Sequence, residues 1–451
     1  MGVSIMNTTI LALLGLFMII CFMALIMTKK MSPFTSLIII PIIFGILAGY
    51  GFLNTLSYAM DGIKSVASTF AMMLFAILYF GILLQAGLFD PMVDVVVRWV
   101  KGDPLKVLVG TAILSAVVSL DGDGTTTVMI VTTALIPIYN RLGIKKIYLA
   151  CLIILMNCIM NLIPWGGPTA RVMAVMQLDA NEIFPPLVPG MIVSAFYALG
   201  VSFYLGLKER KRLGVSANAN AGVQMAEQAE DEHPEWKRPK LIWFNLILTI
   251  VIVVMLIMGL AKSAILFGVG VAILLVVNYP KSKTQREVIS SLAPDMINVV
   301  MMVIGAGVLM GVLNGPANEA GEYVSGMSNA IAVALTGLFP ESLGRYFSII
   351  IAIISAPGTY LLNNDAFYYG VLPPLAATAE AYGFTSLQIG FASLMGQAFH
   401  FLSPLVPFIY LLMDKTEITL AQYQGYIFKW CIGIFVSFMV VGFLTGYLAI
   451  L

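Results

Sequence analysis

Residues 119–127 read S-L-D-G-D-G-T-T-T inside a long apolar stretch. Asp121 and Asp123 bring two carboxylates, Gly122 and Gly124 bring backbone freedom, and Thr125 and Thr126 bring hydroxyls. Oxygens of this kind ligate hard divalent cations. In a low dielectric, a carboxylate can also be discharged by a proton. A local role is open as well, because Asp123 stands where an N-cap would precede a helix from Thr125 onward. Asp365 raises the same question in L-L-N-N-D-A-F at 361–367, beside Asn363 and Asn364. A charge at the centre of a bilayer costs at least ~2.5–3.5 kcal/mol on insertion scales. Three aspartates set in apolar stretches therefore call for a cation, a proton or another partner. Asp123 and Asp365 are the candidate metal ligands.

Two further stretches interrupt apolar runs: N-L-I-P-W-G-G-P-T-A-R at 161–171 and H-F-L-S-P-L-V-P at 400–407. Pro and Gly remove or loosen backbone hydrogen bonds inside a helix. The freed carbonyls can coordinate cations, and new helix N-termini attract anions. Arg171 can hold a carboxylate in bidentate fashion, or snorkel to the end of its span. His400 can move a proton or pack as a hydrogen-bonded core residue. Asn157, Asn161, Asn363 and Asn364 can donate to carboxylates or tie helices together.

The elements that position these groups follow from composition. Of 451 residues 60% are apolar and 10% charged, against about 45–50% and 25% in soluble domains. Apolar runs of about 20 residues recur, each long enough to cross a ~30 Å hydrocarbon core. The chain thus reads as an all-α membrane protein. Its net charge of +1 argues against nucleic acid as a partner. Spans are predicted near 8–27, 33–52, 66–87, 147–170, 186–207, 240–261, 263–279, 294–314, 387–413 and 424–449, about ten crossings. The stretches 105–140 and 346–382 are each interrupted in the middle and fit poorly as single crossings. The segment 214–236, with His233, reads as a cytoplasmic linker.

With both termini outside, 20 of the 24 basic residues fall on the cytoplasmic side. The exceptions are Lys64, Arg171, Lys262 and Arg345. This count works only if 105–140 and 346–382 are re-entrant hairpins, one from each face, whose tips line a covered site. The halves also match at a shift of 240: Ser115-Ala116 on Ser355-Ala356, Gly143 on Gly383, Pro164 on Pro404. Five crossings precede the second half, so the repeat is inverted, which points to a secondary transporter. The competing classes are a carrier of the same build for another di- or tricarboxylate or a cation, and an intramembrane aspartyl protease suggested by Gly-Asp in an apolar stretch.

The motifs at 119–127, 161–171 and 400–407, with L-I-M-T-K-K-M-S at 25–32, resemble the citrate–divalent metal:proton symporters, the CitMHS family of the ion transporter superfamily. The resemblance covers nearly the whole chain outside 214–236. It implies uptake of citrate complexed with a divalent metal of the Mg or Ca type, driven by protons, by a non-enzyme with no tightly bound cofactor. It implies a homodimer in the plasma (inner) membrane, each subunit carrying a fixed scaffold and an elevator-type moving part. Carried over, 1–104 and 240–345 would be scaffold, 105–207 and 346–451 transport domain, and 208–239 the linker. The substrate site would comprise Asp121, Gly122, Asp123, Gly124, Thr125, Thr126, Asn161, Gly166, Gly167, Thr169, Arg171, Asn363, Asn364, Asp365, His400 and Ser403. Related sodium-coupled carriers have Ser-Asn-Thr at both tips. Here the tips read Asp-Gly-Thr and Asn-Asp-Ala, which fits protons or a co-transported metal better.

Overall fold

The structure, a computed structural model, describes residues 7–100, 102–214, 234–316, 326–338 and 341–451. His233 and most of the expected linker lie outside these residues. Among the described residues every regular element is helical. The first half holds α1 (Thr8–Met27), α2 (Pro33–Leu47), α3 (Phe52–Ser65), α4 (Ala67–Gln85), α5 (Asp90–Val100), α6 (Pro104–Val118), α7 (Gly124–Leu142), α8 (Lys146–Met160), α9 (Gly167–Met176) and α10 (Ala180–Leu213). The second holds α11 (Ile242–Ile257), α12 (Ser263–Asn278), α13 (Ser282–Asn314), α14 (Met327–Leu338), α15 (Glu341–Gly344), α16 (Phe347–Leu361), α17 (Asn364–Ala366), α18 (Leu372–Ala381), α19 (Ser386–Leu394), α20 (Gln397–His400), α21 (Phe408–Thr416) and α22 (Leu420–Thr445). A short π-helical stretch, Phe367–Val371, joins α17 to α18.

Among the described residues seven helices are long and apolar enough to cross a membrane, and five shorter apolar ones accompany them. Several boundaries differ from the sequence expectation. The span foreseen at 33–52 stops at Leu47, because Gly49 and Gly51 take positive φ (85° and 77°) and turn the chain into α3. The helices α3, α5 and α14 were not foreseen; α3 and α5 mix charged and apolar residues and give no continuous greasy run. α13 starts at Ser282, a dozen residues ahead of the expected 294, and runs through Pro294. α10 continues to Leu213, so residues 208–213 are helix rather than linker.

The core gathers around α8. Every residue from Tyr148 to Ile159 is buried, as a helix apolar on all sides requires. α6, α7, α10, α20, α21 and α22 pack against it. Elsewhere α13 lies along α3 and α4, with α2 against it and α12 on α4. Small residues permit the α3–α13 crossing: a Cβ on Gly62 would come within 2.0 Å of the Gly307 carbonyl oxygen, the close backbone approach favoured where helices pack in lipid. Large apolar side chains point outward, among them Leu13, Phe196, Trp243 and Leu444.

The two apolar stretches that fitted no single crossing are helix–break–helix hairpins, α6–α7 and α16–α18, with arms in contact. The repeat is visible in backbone detail at the same shift of 240. Gly143 and Gly383 both end a second arm with positive φ. Gln177 and Glu417, neither of them glycine, both adopt φ near +55° (54° and 57°). Asp179 with Glu182, and Thr419 with Gln422, form equivalent capping boxes at the starts of α10 and α22.

Candidate binding site at the hairpin tips and helix breaks

The first tip is built by its own side chains. After α6 the chain makes one 3₁₀ turn, Ser119–Asp121, and reverses at Gly122 with φ +85°. Asp121 Oδ1 accepts from the Asp123 backbone N–H at 2.9 Å. Asp123 is the N-cap of α7: its Oδ2 accepts from Thr126 N at 2.7 Å and from Thr126 Oγ1 at 2.8 Å. The local reading of Asp123 therefore holds, and the cap leaves its side chain exposed. Thr125 is exposed and Gly124 buried. A Cβ on Gly124 would meet the Phe408 ring at 2.3 Å, so the start of α7 sits hard against α21.

The second tip divides the labour differently. Asn363 caps α17 by accepting from Ala366 N at 2.7 Å. Asn364 Oδ1 accepts from Gln397 Nε2 at 3.0 Å, and the same amide nitrogen reaches the Tyr368 hydroxyl at 2.8 Å. Asp365 is left free to reach across the molecule, where its Oδ1 accepts from Arg171 Nε at 2.7 Å. Arg171 NH2 lies 2.7 Å from the same oxygen.

Both tips lean on the break at 161–171. Trp165 Nε1 donates to Leu120 O of the first tip at 2.9 Å. Its ring stacks on Phe80 of α4 at 4.5 Å and meets Phe267 of α12 edge-on at 5.2 Å. The chain folds back so tightly that a Cβ on Gly166 would stand 2.0 Å from Asn161 O. Thr169, buried, donates to Leu162 O at 2.9 Å and closes the freed turn. Gly167 O accepts from Arg171 NH1 at 2.8 Å. Side chains on a helix lean toward its N-terminus, so Arg171 points back into the break. Its guanidinium ends on Gly167 O and on Asp365 of the second tip.

The break at 400–407 is more fully tied down by protein groups. Tyr423 donates to Phe401 O at 2.5 Å, Gln424 to Leu402 O at 2.8 Å, and Tyr410 to Pro404 O at 2.7 Å. Ser403 Oγ, buried, accepts from Leu405 N at 3.2 Å. His400 is buried, with Nδ1 at 3.0 Å from Thr359 O of α16. A carbonyl only accepts, so Nδ1 carries the hydrogen.

The sequence-predicted residues outside the 400–407 break thus fall into two connected groups, while His400 bonds to α16 and Ser403 within its own break. Asp121–Thr126 joins the break through Trp165, and Asn363–Asp365 joins it through Arg171. No hydrogen bond or ion pair among the described residues links Asp121 or Asp123 directly to Asp365. Nor do three or more His, Cys, Asp or Glu side chains converge there as a resident metal centre would need. Sequence reasoning missed Gln397, which steadies the second tip. Its signal was available: it lies 240 residues after Asn157. Both amides are 2% exposed, and each keeps one side-chain atom without a hydrogen-bond partner, as does Asn161. A cavity of about 330 Å³ lies one turn beyond Arg171, lined by Val175 and Met176 of α9 and by Gln177 just past its end, with Asn314 and Glu380.

Comparison with known proteins gives this geometry a family. The model of the CitMHS family, described as citrate transporter, matches residues 3–396. The chain is 44% identical over 437 residues to a citrate transporter of Bacillus subtilis, covering 97% of this chain and 99% of the relative. It is 42% identical over 445 residues to the Mg(2+)/citrate complex secondary transporter of the same organism, covering 98% and 99%. Among solved structures the Alcanivorax borkumensis YdaH transporter superposes with a TM-score of 0.61 over 97% of this chain and 99% of that one. At 14% identity that likeness speaks for the fold alone. The family is one of multi-pass membrane transporters and not of enzymes, so the aspartyl-protease alternative falls. With motifs, helix breaks and whole-length relatives in agreement, the chain belongs to the CitMHS citrate-transporter family.

Proposed function

We propose that this protein carries citrate complexed with a divalent metal ion into the cell, driven by protons. The observation that carries the reading is the ion pair between Arg171, at a helix break, and Asp365 of the second tip, which sets a cation and a carboxylate side by side for a ligand of mixed charge. A metal–citrate chelate is such a ligand. Its free carboxylate suits Arg171 and the positive N-terminal ends of α7 and α9. Its metal suits the oxygens of Asp365 and Asp123, with the chelate itself filling the remaining coordination positions. The similarity to a Mg(2+)/citrate complex transporter supports this choice of cargo. Asn161, Gly166, Gly167, Thr169, Asn363 and Asn364 shape the same site through the contacts described above, and His400 and Ser403 are assigned to it from the neighbouring break. Asp121 and His400 are the remaining candidates for the coupling proton.

The architecture that serves this role is a set of about ten crossings with two re-entrant hairpins in an inverted repeat. Residues 105–207 and 346–451 form the moving, elevator-type part, and 1–104 and 240–345 the scaffold of a homodimer. Both termini lie outside and the basic loops in the cytoplasm. Trp165, stacked on α4 and α12, is the contact across which the two parts would slide.

The test is uptake of labelled citrate into proteoliposomes with Mg²⁺, with Ca²⁺ or with a chelator, each with and without an inward proton gradient. Uptake that needs both a divalent ion and the gradient is expected. Uptake indifferent to the chelator would replace this reading with a carrier of a bare di- or tricarboxylate.

A further inference from the structure

We infer that Arg171 and Asp365 form one exchangeable ion pair that makes the site accept an anion and a cation only together. This rests on the proposed transport of a metal chelate and gives the reason why neither half of the cargo is taken alone. The two residues lie 194 positions apart, on α9 and on α17 at the second tip. Arg171 Nε and NH2 both end on Oδ1 of Asp365, at 2.7 Å each. Arginine and carboxylate at rest prefer the fork in which two nitrogens meet two oxygens. Here Oδ2 has no partner among the described residues, so Asp365 keeps one oxygen open. The third nitrogen, NH1, is anchored on Gly167 O. The backbone around Asp365 is fixed by the Asn363 cap and the Gln397–Asn364 bond. Exchange therefore needs rotation of two side chains and no refolding of the tip.

Burial gives the pair its discriminating effect. The Arg171 and Asp365 side chains are 23% and 16% exposed. Removing one partner of such a pair is costly chiefly because the other is left uncompensated. A bare carboxylate that took Arg171 would strand Asp365. A bare divalent ion that took Asp365 would strand Arg171. A chelate supplies a carboxylate and a metal a few ångströms apart, so one ion pair is replaced by two. Linkage then makes the effect reciprocal: citrate raises the affinity for metal by the factor by which metal raises the affinity for citrate.

The experiment uses the purified full-length protein in detergent. Equilibrium binding of labelled citrate is measured with Mg²⁺ and with a chelator, and thermal stabilisation is measured with Mg²⁺ alone. Wild type should bind citrate with Mg²⁺ far better than without, and should gain little from Mg²⁺ alone. In Asp365→Asn the ratio of the two citrate affinities should fall by about 5–150-fold, the usual range of site–site coupling. In Arg171→Gln, Mg²⁺ alone should become stabilising. A wild-type ratio in a folded Asp365→Asn protein overturns the inference and leaves metal–citrate transport standing. Absence of any Mg²⁺-dependent citrate binding by wild type overturns the transport reading itself. Should the single variants fail to fold, two double variants carry the test. Arg171→Gln/Asp365→Asn keeps a neutral hydrogen-bonded pair and should lose the coupling. Arg171→Asp/Asp365→Arg reverses the pair and should keep thermal stability while losing citrate. Retained citrate binding by the folded reversed protein would mean that the pair only holds the tip, and would end the proposal.

Discussion

The two hairpin tips solve one problem with different residues. Each must end a helix, turn, and start another within a few residues of chain. The first tip uses Gly122 to turn and Asp123 to cap, and its two carboxylates bond to the tip's own backbone and to Thr126. The second turns without glycine, since Leu362 takes an extended φ of −110°. It caps with the neutral Asn363, and so spares Asp365 for a partner on another helix. The difference teaches that an aspartate at a tip is not by itself a ligand-binding group. What matters is whether a neighbour has already relieved it of structural duty. By that criterion the proposed site draws on Asp365 free of capping duty, whereas Asp123 would serve cargo while it caps α7.

The largest effect should follow from Asp365→Asn. A hydrogen bond to a charged group contributes about 1.5–3 kcal/mol, which is about ten- to a hundredfold in affinity. Uptake of metal–citrate should drop by that factor while the protein still reaches the membrane. Arg171→Gln should do the same. Uptake at the wild-type rate in either variant would leave the second tip without the role assigned to it.

Asp123→Asn separates the capping of α7 from the proposed contact with cargo. Asn caps a helix about as well as Asp, so thermal unfolding should be nearly unchanged and any fall in uptake reports the lost charge. Asp123→Ala removes the cap as well and should cost about 1 kcal/mol of stability. Equal unfolding temperatures for Asp123→Ala and Asp123→Asn would show that the cap contributes nothing, and would dissolve the contrast between the tips.

Gly122→Ala probes the turn itself. An L-residue in left-handed backbone costs about 1–2 kcal/mol, and the new Cβ would stand 3.1 Å from the Trp165 ring. Since Trp165 also holds Leu120 O, the variant should lose stability and uptake together. The equivalent Leu362→Ala should lose little through the backbone, because nothing there requires positive φ.

Much of this contrast was legible in the sequence. Polar and helix-breaking residues inside apolar runs stand out because lipid tolerates them only at a price, and they marked both tips and both breaks. The repeat at 240 was legible from a few identities and recurs in the caps and in the backbone of Gln177 and Glu417. What the chain did not disclose has two physical causes. Helices such as α3, with Asp61 and Lys64 on one side and Gly62 on the other, show no long greasy run, because one face packs on α13. And the pairing of Arg171 with Asp365 is a tertiary event between residues 194 apart, which no local pattern encodes. Each was singled out alone, for a carboxylate and for a metal. That each is the other's partner follows from the fold, which brings α9 and the second tip together.

The smallest effect belongs to the cap of the second tip and bears on why it is Asn rather than Asp. Asn363→Ala should cost about 1 kcal/mol, the usual loss for an N-cap, visible as a lower unfolding temperature. Asn363→Asp should be nearly neutral in the same measurement, because Asp caps a helix about as well as Asn. It also makes the second tip resemble the first by setting two carboxylates two residues apart. If the division of duties is right, stability will hold while selectivity shifts. The added carboxylate competes with Asp365 for Arg171, so Mg²⁺ alone should begin to protect the protein against heat. A stable Asn363→Asp protein that ignores free Mg²⁺ and transports as before would show that the neutrality of this cap has no bearing on what the site selects.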